Sequence, residues 1–524
     1  MTLEYRIYGP PGTGKTTWIA RKAAEYADAF GPDQVSICSM TRSAVREVAG
    51  RDLPVPAENI STLHARCRRS LMAGRPAESM VREFARDHPA YATAECLPPS
   101  LMRAAGDKGS SDADISDEVL LSGGGITLYE HAQILRQQMV PVGRWSPRVA
   151  LWFTVWDQWC RSRGVLDFTG WLEACNGTGV LPHQQVVFVD EAQDHTPLQL
   201  AVLRSWPTEH LIMIGDDDQN LYEWSGASPS AFLSPRLPPE REKVLEQSYR
   251  VPRAVHAIAS RWISGVRGRR AKAYAPRDHD GEVVRSDYSL ADAAAGMLPD
   301  GIGEPGRTSM ILTTCAYMLR DVIAALKRAG IPFWNPYRRA DTHWNPLDRT
   351  MSVVRSLMVG DRDWSGDEVG RWASLLAEKK AFERGGKKAL LKACADAGRG
   401  QLPLGTLSEH LNAEAMELAM SQDIALLESM RMTGATGDWP YTIRVVRAFG
   451  VEESPRVILG TIHSVKGGEA DDVVLFPDLS PAGYAEYASN AHRDRILRLF
   501  YVGMTRTRDR LTLCERSSPR AVDW

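Results

Sequence analysis

The sequence predicts an α/β protein with two parallel-sheet cores, each interrupted by a mainly helical insertion. Three observations predict it. A glycine-rich loop lies between an apolar strand and a helical run within residues 3–48. Two short apolar runs, Val186–Val189 and Leu211–Ile214, each end at an acidic cluster, as buried parallel strands do. A second strand–helix–strand unit spans Ser309–Asn335, where Gly330 stops the helix Leu319–Ala329.

The elements follow in order. Ile7 lies in the first strand and Trp18–Ala27 is the first helical run. Residues 66–159 are helical in pattern, with loops at Pro98-Pro99, Gly106–Ser111 and Gly123-Gly124-Gly125. Residues 341–449 are also helix-rich, broken at Gly385-Gly386 and Gly434–Gly437. Val457–Leu459, Val473–Phe476 and Leu511–Cys514 supply further strands. No repeat recurs at a fixed period. The expected division is 1–65 with 160–270 as the first core, 66–159 as its insertion, 271–340 with 450–524 as the second core, and 341–449 as its insertion. A length of 524 residues fits about three or four packed units. Ten residues follow Cys514, so no additional C-terminal domain is expected.

Composition narrows the function classes. Apolar residues are 44% and charged residues 24%, ordinary globular usage. The formal charge is -2, from 63 basic and 65 acidic residues, so no global basic field draws the chain to nucleic acid or an anionic membrane. Any nucleic-acid contact must be local. No apolar run reaches a membrane span, and Met1–Arg6 does not read as a signal peptide. The eight cysteines include no C-x-x-C pair, which argues for reduced thiols in a cytoplasmic protein.

The strongest local signal is Gly9-Pro10-Pro11-Gly12-Thr13-Gly14-Lys15-Thr16, between a strand and a helix. Its glycines let backbone N–H groups turn toward phosphate oxygens, and the helix adds its positive N-terminal end. Lys15 supplies a cation at the β- and γ-phosphates, Thr16 can ligate Mg²⁺, and Thr17 is counted with the loop. Asp190 and Glu191 end the Val186–Val189 run. Asp190 can hold hydrated Mg²⁺, and Glu191 can polarise an attacking water as general base. At the end of the Leu211–Ile214 run, Gln219 can sense a γ-phosphate through its amide, and Tyr222 and Trp224 offer stacking faces.

Together these segments resemble superfamily 1 helicases of the UvrD/Rep/PcrA group. Leu245-Glu246-Gln247-Ser248-Tyr249-Arg250 is similar to the family's Q-x-Y-R motif. Gly460–Glu469 is similar to T-x-H-x-x-K-G-x-E, and Leu499–Arg506 to Y-V-x-x-T-R. Ser61-Thr62-Leu63-His64 and Ser39-Met40-Thr41-Arg42 occupy the places of two further segments. The resemblance implies two RecA-like P-loop NTPase cores that sandwich ATP. It implies that Arg250 and Arg506 act as arginine fingers, that Tyr249 stacks on adenine, and that Glu469 faces the ribose and phosphates. Two positions depart from the family. The eight residues before Gly9 contain no adenine-reading Gln, so relaxed nucleotide preference is expected; Met40 replaces a DNA-stacking Phe.

The resemblance also implies a track for single-stranded DNA lined by Thr41, Arg42, Thr62, His64, Thr461 and His463, with stacking on Tyr222 and Trp224. Arg66 with Arg68 and Arg69, Arg267–Lys272 and Lys379–Lys388 are candidate duplex contacts. Asp167 in Leu166-Asp167-Phe168 reads as a structural cap. The expected activity is ATP- and Mg²⁺-dependent 3′–5′ helicase or translocase movement on single-stranded DNA up to a junction with duplex. A motor that strips proteins or serves a partner complex, and an ATP-gated binding switch, remain the alternatives. A protein loading partner or a separate nuclease chain is compatible with this reading. Nothing in the sequence reads the 2′-OH, so RNA stays open as a substrate.

Overall fold

The computed structural model describes residues 2–39, 53–104, 126–337, 344–358, 362–451 and 454–524. Thr41 and Arg42, assigned above to the track, lie outside the described residues, as does Met40. Two six-stranded sheets carry the fold. The first contains β1 (Leu3–Tyr8), β2 (Val35–Ser39), β3 (Ile60–Thr62), β4 (Gln184–Val189), β5 (Thr208–Gly215) and β6 (Glu242–Val244), in the order β3-β2-β4-β5-β1-β6. The second contains β7 (Glu282–Arg285), β8 (Ser309–Thr313), β9 (Phe333–Trp334), β10 (Val457–Thr461), β11 (Ala470–Leu475) and β12 (Thr507–Leu513), in the order β7-β12-β11-β8-β10-β9. Every paired strand is parallel. These are the two expected parallel-sheet cores. Strands β2, β8 and β10 are buried along their whole length, as parallel strands covered on both faces are.

The first insertion has its own aromatic core. Trp152, Trp156 and Trp159 follow a near-helical spacing on the helix Pro147–Arg163 and pack against Phe84 and Tyr129. Asp167 caps the helix Phe168–Cys175 through Gly170 N (2.7 Å) and takes a bidentate pair from Arg136 at 2.5 and 3.0 Å. It is the structural group the sequence suggested, and it also fastens the insertion to the first core.

The second insertion is not a separate body. Trp364, Trp372 and Trp439 belong to the same apolar cluster as Ile311, Phe333 and Val457 of the second sheet. The packing also moves one expected boundary. The helix Arg253–Ile263 was placed with the first core (160–270), yet Val251, Val255, Ala259, Ile263 and Val266 pack with Met310, Leu312 and Phe500 of the second. Its apolar face finds its complement on the helix Arg493–Met504. No helix among the described residues is long and apolar enough to cross a membrane.

Candidate functional site

The glycine-rich loop is held from three sides. Gly9 N donates to Gly215 O (2.9 Å), at the end of the neighbouring β5. Ser248 Oγ donates to Pro11 O (2.8 Å), and Tyr249 N donates to Gly12 O (2.8 Å). Gly12 has φ +72°, and a Cβ there would stand 2.5 Å from Arg250 Cβ and 2.8 Å from Ser248 Oγ. Only glycine serves at this point. Thr13 is buried, its hydroxyl donated to Pro10 O (2.8 Å), so it shapes the loop. Gly14, also left-handed at φ 73°, opens the helix Lys15–Phe30, whose positive N-terminal end suits an anion. Thr16 and Thr17 lie in its first turn.

Around that loop lie the acidic strand ends. Asp190 is buried, with its backbone N bonded to Cys38 O at 2.8 Å. Glu191 follows with φ 48°, uncommon for a side chain of this kind and a mark of local constraint. Its carboxylate sits 3.7 Å from Lys15 Nζ and accepts from Gln193 Nε2 at 2.6 Å. Burial would raise its pKa. Lys15, Lys466, the Gln193 hydrogen bond and Arg506 outweigh burial and lower it to about 2. Glu191 is therefore ionised at neutral pH, as a general base must be. Thr16 and Asp190 offer hard oxygen donors at the loop and strand end, which is the ligand chemistry Mg²⁺ prefers.

Gln219 links the two cores. Its Nε2 donates to Asp216 Oδ2 (2.8 Å) and approaches Gly9 O (3.4 Å), while its Oε1 accepts from Arg506 Nη2 (3.4 Å). Arg506 comes from the second core and is 2% exposed. Its other donors meet Val502 O (2.9 Å) and Gly468 O (3.2 Å). Burial, and then the charge of Arg250, push its pKa down to about 9. Arg250 is already paired, through Nε to Glu469 Oε2 at 2.7 Å. Glu469 also takes Arg508 of its own core (2.9 Å), so in this arrangement it holds two arginines, of which Arg250 comes from the first core. Tyr249 is 70% exposed, with its ring free for a planar ligand.

The stacking segment docks against the second core. Glu223 accepts from Arg498 Nη1 (2.9 Å) and pairs with Arg495 (3.4 Å). Tyr222 and Trp224 stand with ring centroids 6.0 Å apart. Lys466 Nζ lies 5.0 Å over the Tyr222 ring, donates to Gln219 O (3.0 Å) and is ion-paired with Asp194. Three residues that sequence reasoning did not single out thus join the parts: Gln193, Asp194 and Lys466. Lys466 is the lysine of the T-x-H-x-x-K-G-x-E segment, and Gln193 and Asp194 follow Glu191 at the acidic strand end; the sequence marks the positions but not the partners they meet.

The residues assigned to the track have the following surroundings. Thr62 caps the helix Leu63–Ser70 by accepting from Ala65 N (3.3 Å). Thr461 is buried and its Oγ1 accepts from Ser464 N (3.2 Å). In that bond it shapes the turn that follows β10. Burial lowers both His64 and His463 to about 4, so both are neutral imidazoles at physiological pH. His463 Nδ1 is buried without a partner among the described residues. Two expected duplex contacts are corrected. Arg66 is buried against Ser36 and Asn59, and Arg269 and Lys272 are neutralised by Asp216–Asp218.

Two family models match the chain: an AAA domain over residues 4–225 and a UvrD-like helicase C-terminal domain over residues 443–518. The chain is 26% identical over 350 residues to the ATP-dependent DNA helicase UvrD2 of Mycobacterium tuberculosis, a match covering 62% of this chain and 46% of that protein. It is 30% identical over 146 residues to DNA helicase II of Escherichia coli, covering 25% of this chain and 20% of that protein. The chain therefore spans less than half the length of these curated relatives.

Proposed function

We propose, for a chain that belongs to the UvrD-like group of superfamily 1 helicases, that it is an ATP-driven motor moving 3′ to 5′ along single-stranded DNA and separating strands at a duplex junction. One observation carries the ATPase part. Arg506 of the second core is buried in the cleft beside Gln219 of the first, and among the described residues its donors meet only neutral oxygens. A buried guanidinium without a carboxylate is costly unless an anion joins it. A γ-phosphate on the Gly9–Thr16 loop would be that anion.

In this reading Lys15 and the loop N–H groups bind the phosphates, Tyr249 stacks on the base, and Thr16 and Asp190 hold Mg²⁺. The metal, when bound, supplies positive charge at the phosphate oxygens. Glu191 takes the proton from the attacking water. Arg506 neutralises charge developing on the phosphoryl group, and Arg250 leaves Glu469 to do the same. Because Arg506 and Glu191 come from different cores, turnover requires closure of the cleft. The names of the relatives support DNA as the substrate, and the polarity follows the resemblance. Tyr222 and Trp224 serve as the stacking platform, and the neutral His64 and His463 as hydrogen-bonding groups along the strand. Eight free cysteines, seven of them buried, agree with a reducing, cytoplasmic setting.

The test is ATP-driven strand displacement on duplexes bearing either a 3′ or a 5′ single-stranded tail, with Lys15→Ala as control. Opening of the 3′-tailed duplex alone supports the full reading. Opening of the 5′-tailed duplex alone would overturn the polarity. DNA-stimulated hydrolysis without opening would make the protein a translocase that needs a partner to unwind.

A further inference from the structure

Lys272 ends the basic stretch Arg267–Lys272, read from the sequence as a duplex contact, yet its side chain is only 1% exposed. Its Nζ stands 2.8 Å from Asp216 Oδ1, 2.5 Å from Asp217 Oδ1 and 2.8 Å from Asp218 Oδ2. The three aspartates are fully buried. Their carboxylate oxygens lie within 4.8 Å of one another, a spacing that suits a cation, and the lysine ammonium is that cation. Arg269 adds a bidentate pair to Asp218 at 2.8 and 2.5 Å, and Arg270 N donates to Asp217 Oδ2 at 2.9 Å. Burial works against the Lys272 charge, but the three carboxylates outweigh it and hold the ammonium protonated.

The clamp grips a turn with functional groups at both ends. Asp216 Oδ2 accepts from Gln219 Nε2 (2.8 Å), and Asp216 N donates to Gln193 Oε1 (2.9 Å). Gln193 in turn holds Glu191 at 2.6 Å. Beyond Gln219 the same stretch carries Tyr222 and Trp224. The strap bearing Lys272 follows the helix Arg253–Ile263, which packs in the second core, whereas the turn it grips belongs to the first. Movement between the cores is thereby pulled onto Gln219 on one side and the aromatic pair on the other.

Resting on the motor reading above, we infer that Lys272 is a positioning residue that couples single-strand binding at Tyr222 and Trp224 to hydrolysis at Glu191 and Gln219. A plain structural role would be charge balance alone, and the two roles separate experimentally. Lys272→Met leaves buried carboxylates uncompensated and lowers the melting temperature. The triple variant Lys272→Met with Asp217→Asn and Asp218→Asn removes the excess charge while still releasing Asp216. Lys272→Arg keeps the charge but replaces a point cation by a planar fork.

ATP turnover is measured with and without a dT oligonucleotide. The expected result for the folded triple variant is a stimulation ratio lower by on the order of tenfold, in the range of a coupling free energy between sites, with KM for ATP within about twofold of wild type. Lys272→Arg should lower the ratio as well. A wild-type ratio in the triple variant, or in Lys272→Arg should the triple variant not fold, overturns the inference and leaves Lys272 a charge-balancing group. Absence of stimulated turnover in the wild-type protein is a different result: it removes the motor reading, and the coupling with it.

Discussion

Arg506 Nη2 lies 3.4 Å from Gln219 Oε1, a contact between the second core and the first at the edge of the phosphate loop. Among the described residues Arg506 has no carboxylate partner, although Glu191 and Glu469 are near enough to influence its charge. Gln219 is polarised from the other side by Asp216. An uncharged amide between a carboxylate and a guanidinium can turn its oxygen or its nitrogen toward a ligand. Loss of a terminal phosphate would therefore be felt at the same place where the cores meet.

Arg506→Ala should lower kcat for ATP by about a thousandfold, the low end of arginine-finger effects. The protein should still bind nucleotide, since Lys15 and the loop amides are untouched. Single-turnover hydrolysis beside equilibrium binding of a fluorescent ATP analogue separates the two. An unchanged kcat would make Arg506 a packing residue. Lys at this position should rescue little, because the fork that reaches Gly468 and Gln219 together is lost.

Glu191→Gln should bind ATP and fail to turn it over. The amide keeps the side chain's size but cannot accept the water proton. Gln193 would then face another amide instead of a carboxylate. Rapid-quench measurement of a single turnover is the check, and a kcat within about tenfold of wild type would remove Glu191 as base.

The acid limb of the pH–rate profile should be set by Asp194 and not by the base. Burial raises the Asp194 pKa to about 6 against the pull of Lys466, while Glu191 is lowered to about 2. As pH falls through about 6, Asp194 gains a proton and its ion pair with Lys466 across the cleft weakens, while Glu191 remains ionised. Turnover should decline over that interval. Asp194→Asn should give a lower but flatter profile between pH 5 and 7 by the same linkage; a limb that persists at the same pH would assign it elsewhere.

The sheets and the phosphate loop were legible because strand, turn and helix each left a local pattern. β4, β5 and β10 contain the apolar runs read as strands, and β11 and β12 overlap theirs, ending one residue earlier at Leu475 and Leu513. The short edge strands β3, β6 and β7 went unread, since three or four residues at a sheet edge carry too little periodicity. The clamp at Lys272 was invisible for a different reason. A lysine in a basic stretch reads as a solvated charge, and only the folded chain brings Asp216, Asp217 and Asp218 to it from more than fifty residues away.

Trp224→Ala should weaken binding of single-stranded DNA by about 1–3 kcal/mol, the usual worth of one base stacked on an aromatic ring. Trp224 is half-buried, its ring tilted 57° to that of Tyr222, so part of its surface stays open to solvent. The neighbouring Glu223 fixes the segment on the second core through Arg498 and Arg495. Arg498→Ala should therefore weaken the same binding indirectly, by loosening the platform, while leaving the ring itself in place. Fluorescence anisotropy of a labelled dT oligonucleotide, measured over a salt series, distinguishes the two. Loss of stacking lowers affinity by a constant amount at all salt concentrations, because no phosphate contact is removed. A Trp224→Ala protein with wild-type affinity, or one whose defect vanishes at high salt, would return Trp224 to the packing between the cores.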